Sequence, residues 1–393
     1  MSEVGAGVRR LRLALGLGQV EFAKKVGIST TGVSMLENGR TSVTDDLLLV
    51  LARELQCTPA HLQRGAASAL STQPLMRAYA DAPKKTVDRQ IADAALAVEV
   101  AAGLGLHPIA DILPIFHGDL ASEHDIEQFA LDVRGAAQLD DGDVVGNSIR
   151  AAERLGCLVL PMPDELGRHL GMSVRIDTTP VLCVSRATEG CGEGVPGDRQ
   201  RFTVAHELGH LALHSHLAPP QTAQDATLFE KQAHLFAGAF LAPGDAMMEE
   251  LQGVGGRVTL QTLASIKSRW GLSIKSLVMR FRQLGVIDAD QARSLYKQIS
   301  ARGYNKSEPV PVGPESAIWM SMAISKRFAG SGDPLEDAAQ IVGLGQEHFR
   351  RWVDWMSAPS PQGEVVQLPR RTATGQEQGG RDASVTRLAG RRG

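Results

Sequence analysis

One stretch limits the architecture of this chain more than any other: residues 202–216, FTVAHELGHLALHSH. Phe202, Ala205, Leu208, Ala212 and Leu213 give it an apolar surface at helical spacing, so it is expected to form a helix packed on a core. Yet that helix also carries His206, Glu207 and His210, and burying such groups is costly unless they are paired. Imidazoles at i and i+4 leave one helix face with Cβ atoms about 5–6 Å apart. Both nitrogens can then reach a single tetrahedral Zn2+ at roughly 2.0–2.1 Å. Glu207, one residue along, points beside the ion, where it can take a proton from a water whose pKa zinc lowers to about 7. His206 and His210 are therefore read as metal ligands and Glu207 as the catalytic base.

Three residues compete for the third ligand position. His216 is the tenth residue after His206, the spacing of H-E-x-x-H-x-x-G-x-x-H, where a glycine bends the chain. Leu213 stands at that glycine position and prolongs the helix instead. Glu230 lies in LFEKQAHLFAGAFLAP, beside a stripe made by Phe229, Ala233, Phe236, Ala237 and Phe240. A carboxylate on the buried edge of an apolar helix is best explained by a cation, so Glu230 is favoured. His234, one turn later on that face, is expected to orient a ligand from behind rather than bind metal. His214 is assigned a similar supporting role, although histidines at a helix C-terminus also suit its dipole. His61, His107, His117, His124, His169 and His348 are scattered and read as surface or satisfied core residues.

The chain has 393 residues, too many for one ordinary domain. Aromatics are only 4% of the sequence, so aliphatic residues must carry the cores. Cys57, Cys157, Cys183 and Cys191 form no CxxC pair, which excludes a zinc knuckle and suits a reducing cytoplasm. Cys191 sits in a Gly-rich loop and is expected to be exposed. The N-terminus lacks a signal peptide's apolar run, and the longest apolar stretch (91–106) contains Asp93 and Glu99, so no membrane partner is expected. We read residues 1–66 as a five-helix domain, 67–110 as a helical linker with a helix pair, and 111–310 as an α+β domain. Residues 311–357 read as a helical extension and 358–393 as a disordered, Gly- and Arg-rich tail. Two helices (EHDIEQFALDVRGAAQ and DVVGNSIRAAERLG) precede the strand runs CLVLPM, MSVRI and VLCVSR. The fold class is thus multidomain, mainly α with a small β-sheet.

At the N-terminus, QVEFAKKVGISTTGVSMLENGR (19–40) reads as two helices joined at Gly27. Val20, Ala23 and Val26 are expected to pack against Val33 and Leu36. Such a turn sets its second helix in a DNA major groove with N-terminal residues toward the bases. Thr30, Thr31 and Ser34 are then candidate base readers, and Gln19 and Arg40 candidate phosphate contacts. Residues 1–66 hold eight Lys/Arg against six Asp/Glu, so phosphate affinity should be modest.

These residues carry two resemblances. Residues 19–40 resemble an XRE-type (lambda-repressor-like) helix-turn-helix, with Gly18 where that family usually has Ser or Thr. RQRFTVAHELGHLALH followed by E-x-x-A-x-x-F-A-x-x-x-L-x-P (Glu230 to Pro243) resembles the ImmA/IrrE metallopeptidases. SRWGLSIKSLVMRFRQLGVI and GYNKSEP are similar to that family's helical C-terminal portion. The second resemblance implies a gluzincin arrangement with Glu230 as third ligand; the family commonly has Asn where His234 stands. It also implies cleavage of a helix-turn-helix repressor rather than general proteolysis. Together they imply a DNA-binding regulator, expected to be a homodimer on double-stranded operator DNA. It would cut a partner repressor, or its own linker near 67–90, on a signal. The alternative is a non-enzymatic, antitoxin-like regulator whose zinc domain senses a ligand or holds a shape.

Overall fold

Local chemistry accounts for the first five helices of the computed structural model, which describes residues 3–65, 83–106, 110–162, 169–188 and 194–355. They are α1 (Glu3–Ala14), α2 (Gln19–Val26), α3 (Thr30–Glu37), α4 (Asp45–Glu54) and α5 (Pro59–Arg64). Side chains of Ser29, Thr44 and Thr58 cap α3, α4 and α5 by accepting from backbone N–H groups three residues on. Gly27 ends α2 at φ 72°, a left-handed turn that a side chain would strain. Phe22, Ala23 and Val26 are buried with Val33, Leu36 and Leu51. Val20 is not: it is 58% exposed, and Phe22 takes the core place expected for it. The two are about 200° apart around a helix, so burying Phe22 turns Val20 to the surface. The Arg12 guanidinium and the Glu37 carboxylate form a buried ion pair beneath the domain.

After this head comes α6 (Lys84–Gly103). The expected linker with a helix pair, 67–110, lies partly outside the described residues. Its described part holds one twenty-residue helix, with Val87, Ala94, Leu96, Ala97 and Val100 buried. Apolar residues on several sides of α6 need several partners, and it packs between α1 and the sheet. Residues 66–82, His107, the loop 189–193 with Cys191, and the tail from 356 lie outside the described residues.

Next come α7 (Glu123–Ala136) and α8 (Ser148–Arg154), then β1 (Leu158–Met162), β2 (Gly171–Ile176) and β3 (Thr179–Ser185). The helix α8 is shorter than its apolar pattern suggests because Asn147 caps it, its side chain accepting from Arg150 N. The sheet order is β1-β3-β2: β1 runs parallel to β3 and β2 antiparallel to it. The apolar α9 (Gly197–His214) and α10 (Ala223–Leu241) pack together over one sheet face. Then follow α11 (Gly244–Gly253), which the sequence pattern does not announce, α12 (Leu260–Trp270), α13 (Ile274–Gln283) and α14 (Ala289–Ala301). The chain ends its described course in α15 (Trp319–Arg327), α16 (Pro334–Val342) and α17 (Gln346–Val353).

Two apolar cores flank the sheet. Val159, Leu182 and Val184 face the core shared by α7 to α14. Leu158, Leu160, Met172, Val174 and Cys183 face a second core built by α1 to α6 and α15 to α17. The helical extension thus closes on the head: Thr58 N donates to Gly343 O (2.8 Å) and Gly345 N to Gln56 O (2.6 Å). A short segment past α14 returns to the first core, where Glu315 accepts from Ser148 N (2.7 Å) and pairs with Arg201 (2.5 Å).

Candidate metal centre

Small residues and antiparallel pairing bring α9 and α10 together. A Cβ on Gly209 would lie 2.9 Å from Phe236 and 3.3 Å from Ala233 O, so the helices meet closely at this glycine. Four-residue steps on the two helices then face each other. Phe229 lies over His214, Glu230 opposite His206 and His210, and His234 against His206.

His206 Nε2 and His210 Nε2 lie 3.1 Å apart, and the Glu230 carboxylate closes the triangle with both oxygens, Oε2 3.3 Å from His206 and Oε1 3.4 Å from His210. Ligands at 2.0–2.1 Å around a tetrahedral ion stand about 1.6 times that distance apart, about 3.3 Å. The donor set, two imidazoles and one carboxylate, is one that zinc takes in open catalytic sites. No other group of His, Cys, Asp and Glu among the described residues meets the spacing for a metal. Burial alone would raise the Glu230 carboxyl. The imidazoles of His206 and His210 beside it outweigh burial and hold it well below the usual carboxylate range.

His210 is oriented by a relay read from its far end. Gln232 Nε2 donates to Leu120 O (2.9 Å), which turns Gln232 Oε1 toward His214 Nε2 (3.0 Å). His214 therefore carries its proton on Nε2, and its Nδ1 accepts from His210 Nδ1 at 3.1 Å. With its proton on Nδ1, His210 presents a lone pair on Nε2, the atom that faces His206 and Glu230. Burial, then the neighbouring His210, push His214 down to about 3, which keeps it neutral. The Phe229 ring stacks on His214 at 4.3 Å. His214 thus stands behind His210 and does not line the site.

His234 is placed differently. Its Nδ1 donates to Glu230 O (2.9 Å), its ring lies edge-on to His206 at 4.5 Å, and it lines an open cleft. Burial, then His206, lower its pKa. Glu207 is buried one residue past His206, and Ser173 Oγ of β2 donates to its Oε2 at 2.7 Å. Gly171 permits this approach: a Cβ there would lie 2.7 Å from Glu207 Cγ and 2.6 Å from Thr203. His216 lies apart, exposed, with its ring 5.5 Å from that of His117. Sequence reasoning missed Ser173, Gly171 and Gln232. A lone Ser in a strand or Gln in a helix has no local signature, because its partner comes from another element.

The residues expected to meet DNA stand on the head. Thr30 and Thr31 are exposed at the start of α3, Ser34 is half-buried one turn on, and Arg40 is exposed beyond the helix. Gln19 Nε2 donates to Glu37 Oε2 (2.9 Å) and so adjoins the Arg12–Glu37 pair.

In comparisons with known proteins, residues 8–62 match the helix-turn-helix family model. Residues 152–282 match the model described as the IrrE N-terminal-like domain, a peptidase family. No curated protein matches the chain.

Proposed function

Because one chain joins an XRE-type helix-turn-helix domain to an IrrE-like peptidase domain, we propose a DNA-binding regulator that cuts a protein with a zinc-dependent site. The donor triangle of His206, His210 and Glu230, with Glu207 held beside it, is the observation that carries this reading. The three residues would hold Zn2+, which supplies a polarised carbonyl and a more acidic water. Glu207 takes the proton of the attacking water and delivers it to the leaving amine. Ser173 fixes the rotamer of that carboxylate. His234, on the cleft side, is the imidazole placed to face the oxyanion, whereas His214 is walled off behind His210. An extended substrate lies along β2, the sheet's outer strand next to Glu207, and borrows its backbone hydrogen bonds.

On DNA, Thr30, Thr31 and Ser34 read base edges from the start of α3, and Arg40 binds phosphate. Gln19 keeps the phosphate role only by exchanging its bond to Glu37. The regulator binds an operator as a homodimer, with half-sites about 34 Å apart, and works in a reducing cytoplasm. No described helix is long and apolar enough to cross a membrane.

Replacing Glu207 by Gln separates this reading from a non-enzymatic one. The variant is expected to bind zinc as the parent does in metal analysis, while cleavage of a co-incubated helix-turn-helix repressor stops. Unchanged operator regulation in cells carrying that variant would favour a sensor or structural role for the zinc domain. For the head, Thr30→Ala with Thr31→Ala should weaken sequence-selective binding by about 1–3 kcal/mol per lost base contact in a mobility-shift titration. Equal affinity for operator and random DNA before and after would favour a protein-docking head.

A further inference from the structure

We propose that the cleft entered past His234 selects an acidic segment of the substrate, supplied by a partner protein and not by this chain's own linker. The proposal deepens the peptidase reading above and rests on it. The cleft encloses about 720 Å³ and runs from Phe202 and His234 along the start of α9 to the α12–α13 turn and the segment near 304–312. Among its described lining residues are five cationic side chains and two carboxylates. Both carboxylates, Asp198 and Glu308, are engaged by Lys267, which is 2% exposed and forms part of the wall. Arg280 is likewise paired, with Glu127. Arg199, Lys275 and Lys306 remain exposed, with no ion pair among the described residues.

Positive charge around a concave wall attracts carboxylates and repels basic chain, and the repulsion sharpens selection as much as the attraction does. The chain's own segment 66–90 carries Arg77, Lys84, Lys85 and Arg89 against Asp81 and Asp88, a net +2 (four minus two). It has the same sign as the cleft. Residues 84–90 also belong to α6, whose packing in the second core opposes the extended form that a protease needs. Charge and packing both point to a substrate in trans.

The test is fluorescence anisotropy with the full, zinc-loaded chain carrying Glu207→Gln, so that binding is read without turnover. The probes are a fluorescein-labelled Glu/Ser peptide and a Lys/Ser peptide of equal length. The Glu/Ser peptide is expected to bind more tightly, and Lys275→Glu with Lys306→Glu, both exposed, to weaken it about tenfold. Equal affinity for the two peptides, no binding of the acidic one, or indifference to the charge reversal overturns the proposal. It also falls if single-stranded DNA displaces the peptide and loses affinity through the same reversal, because the cleft is then a nucleic-acid channel. Cleavage by the parent chain is scored separately. Cutting without charge preference sinks the cleft proposal alone, and charge-selective binding without any cutting sinks the peptidase reading alone.

Discussion

His210 depends on Gln232 although the two never touch. A neutral imidazole can ligate a metal through Nε2 only if its proton is on Nδ1, and that choice is set by His214 and, behind it, by the Gln232 amide. Gln232→Leu keeps the volume and removes the acceptor. Zinc affinity, measured by competition with a chromophoric chelator, is expected to fall about 10–100-fold, while Gln232→Glu, which retains an oxygen, stays near the parent. If Leu and Glu behave alike, the relay has no role in holding the metal. At this scale the sequence was partly informative. The i, i+4 spacing of His206 and His210 and the polarity of Glu230 on an apolar helix were legible, whereas the partners of Glu207 and His214 were not.

Between elements, the site needs close contacts that larger side chains would prevent. β2 approaches α9 at Gly171, where a methyl would meet Thr203 and Glu207 Cγ. Gly171→Ala is expected to cost about 1–3 kcal/mol in urea unfolding, as overpacking does. It should also displace Glu207 and slow cleavage more than it weakens zinc binding. Adding Thr203→Ser, which removes the methyl met at 2.6 Å, should recover part of the stability. A Gly171→Ala protein as stable and active as the parent would show that the strand can shift without consequence. The pattern of strands was readable, since CLVLPM and VLCVS are nearly continuous apolar runs, and such runs belong to strands covered on both faces. What covers them was not readable, because periodicity reports that a face is buried and not against what.

Over the whole molecule, the head is joined to the IrrE-like domain through α6, one face of the sheet and the α15–α17 helices. Trp352, 1% exposed, sits in that shared core. Trp352→Ala is expected to cost about 3–5 kcal/mol. It should lower hydrogen-exchange protection in α1 to α5 and in the sheet together; loss confined to α15–α17 would mean that the extension is only an accessory. The same contact responds to pH. His348 donates from Nε2 to Leu55 O (3.2 Å) and accepts from Arg351 at Nδ1 (2.9 Å), so its neutral form is satisfied and a second proton would face a guanidinium. Burial, then Arg351, push it down to about 3. A base depressed by folding binds more protons when unfolded, so stability should fall as pH drops from about 6.5 toward 3, by at most about 1.4 kcal/mol per unit. Burial raises the nearby Asp93, which works in the opposite sense at the acid end. Denaturation midpoints of the parent and His348→Gln between pH 7 and pH 5 check this; parallel curves would remove His348 from the effect.

The sequence by itself determined the helix that carries His206, Glu207 and His210, the three strand runs and the helix-turn-helix. Each of these rests on spacing within one element, which 3.6-residue and two-residue periods impose on any packed chain. Only the tertiary structure decided that the Glu230 carboxylate meets both imidazoles, that Ser173 and Gln232 bond to Glu207 and His214, and that α6 is part of a core uniting head and extension. Those are contacts between residues far apart in the chain. They are set by which buried faces meet, and a one-dimensional pattern leaves that choice open.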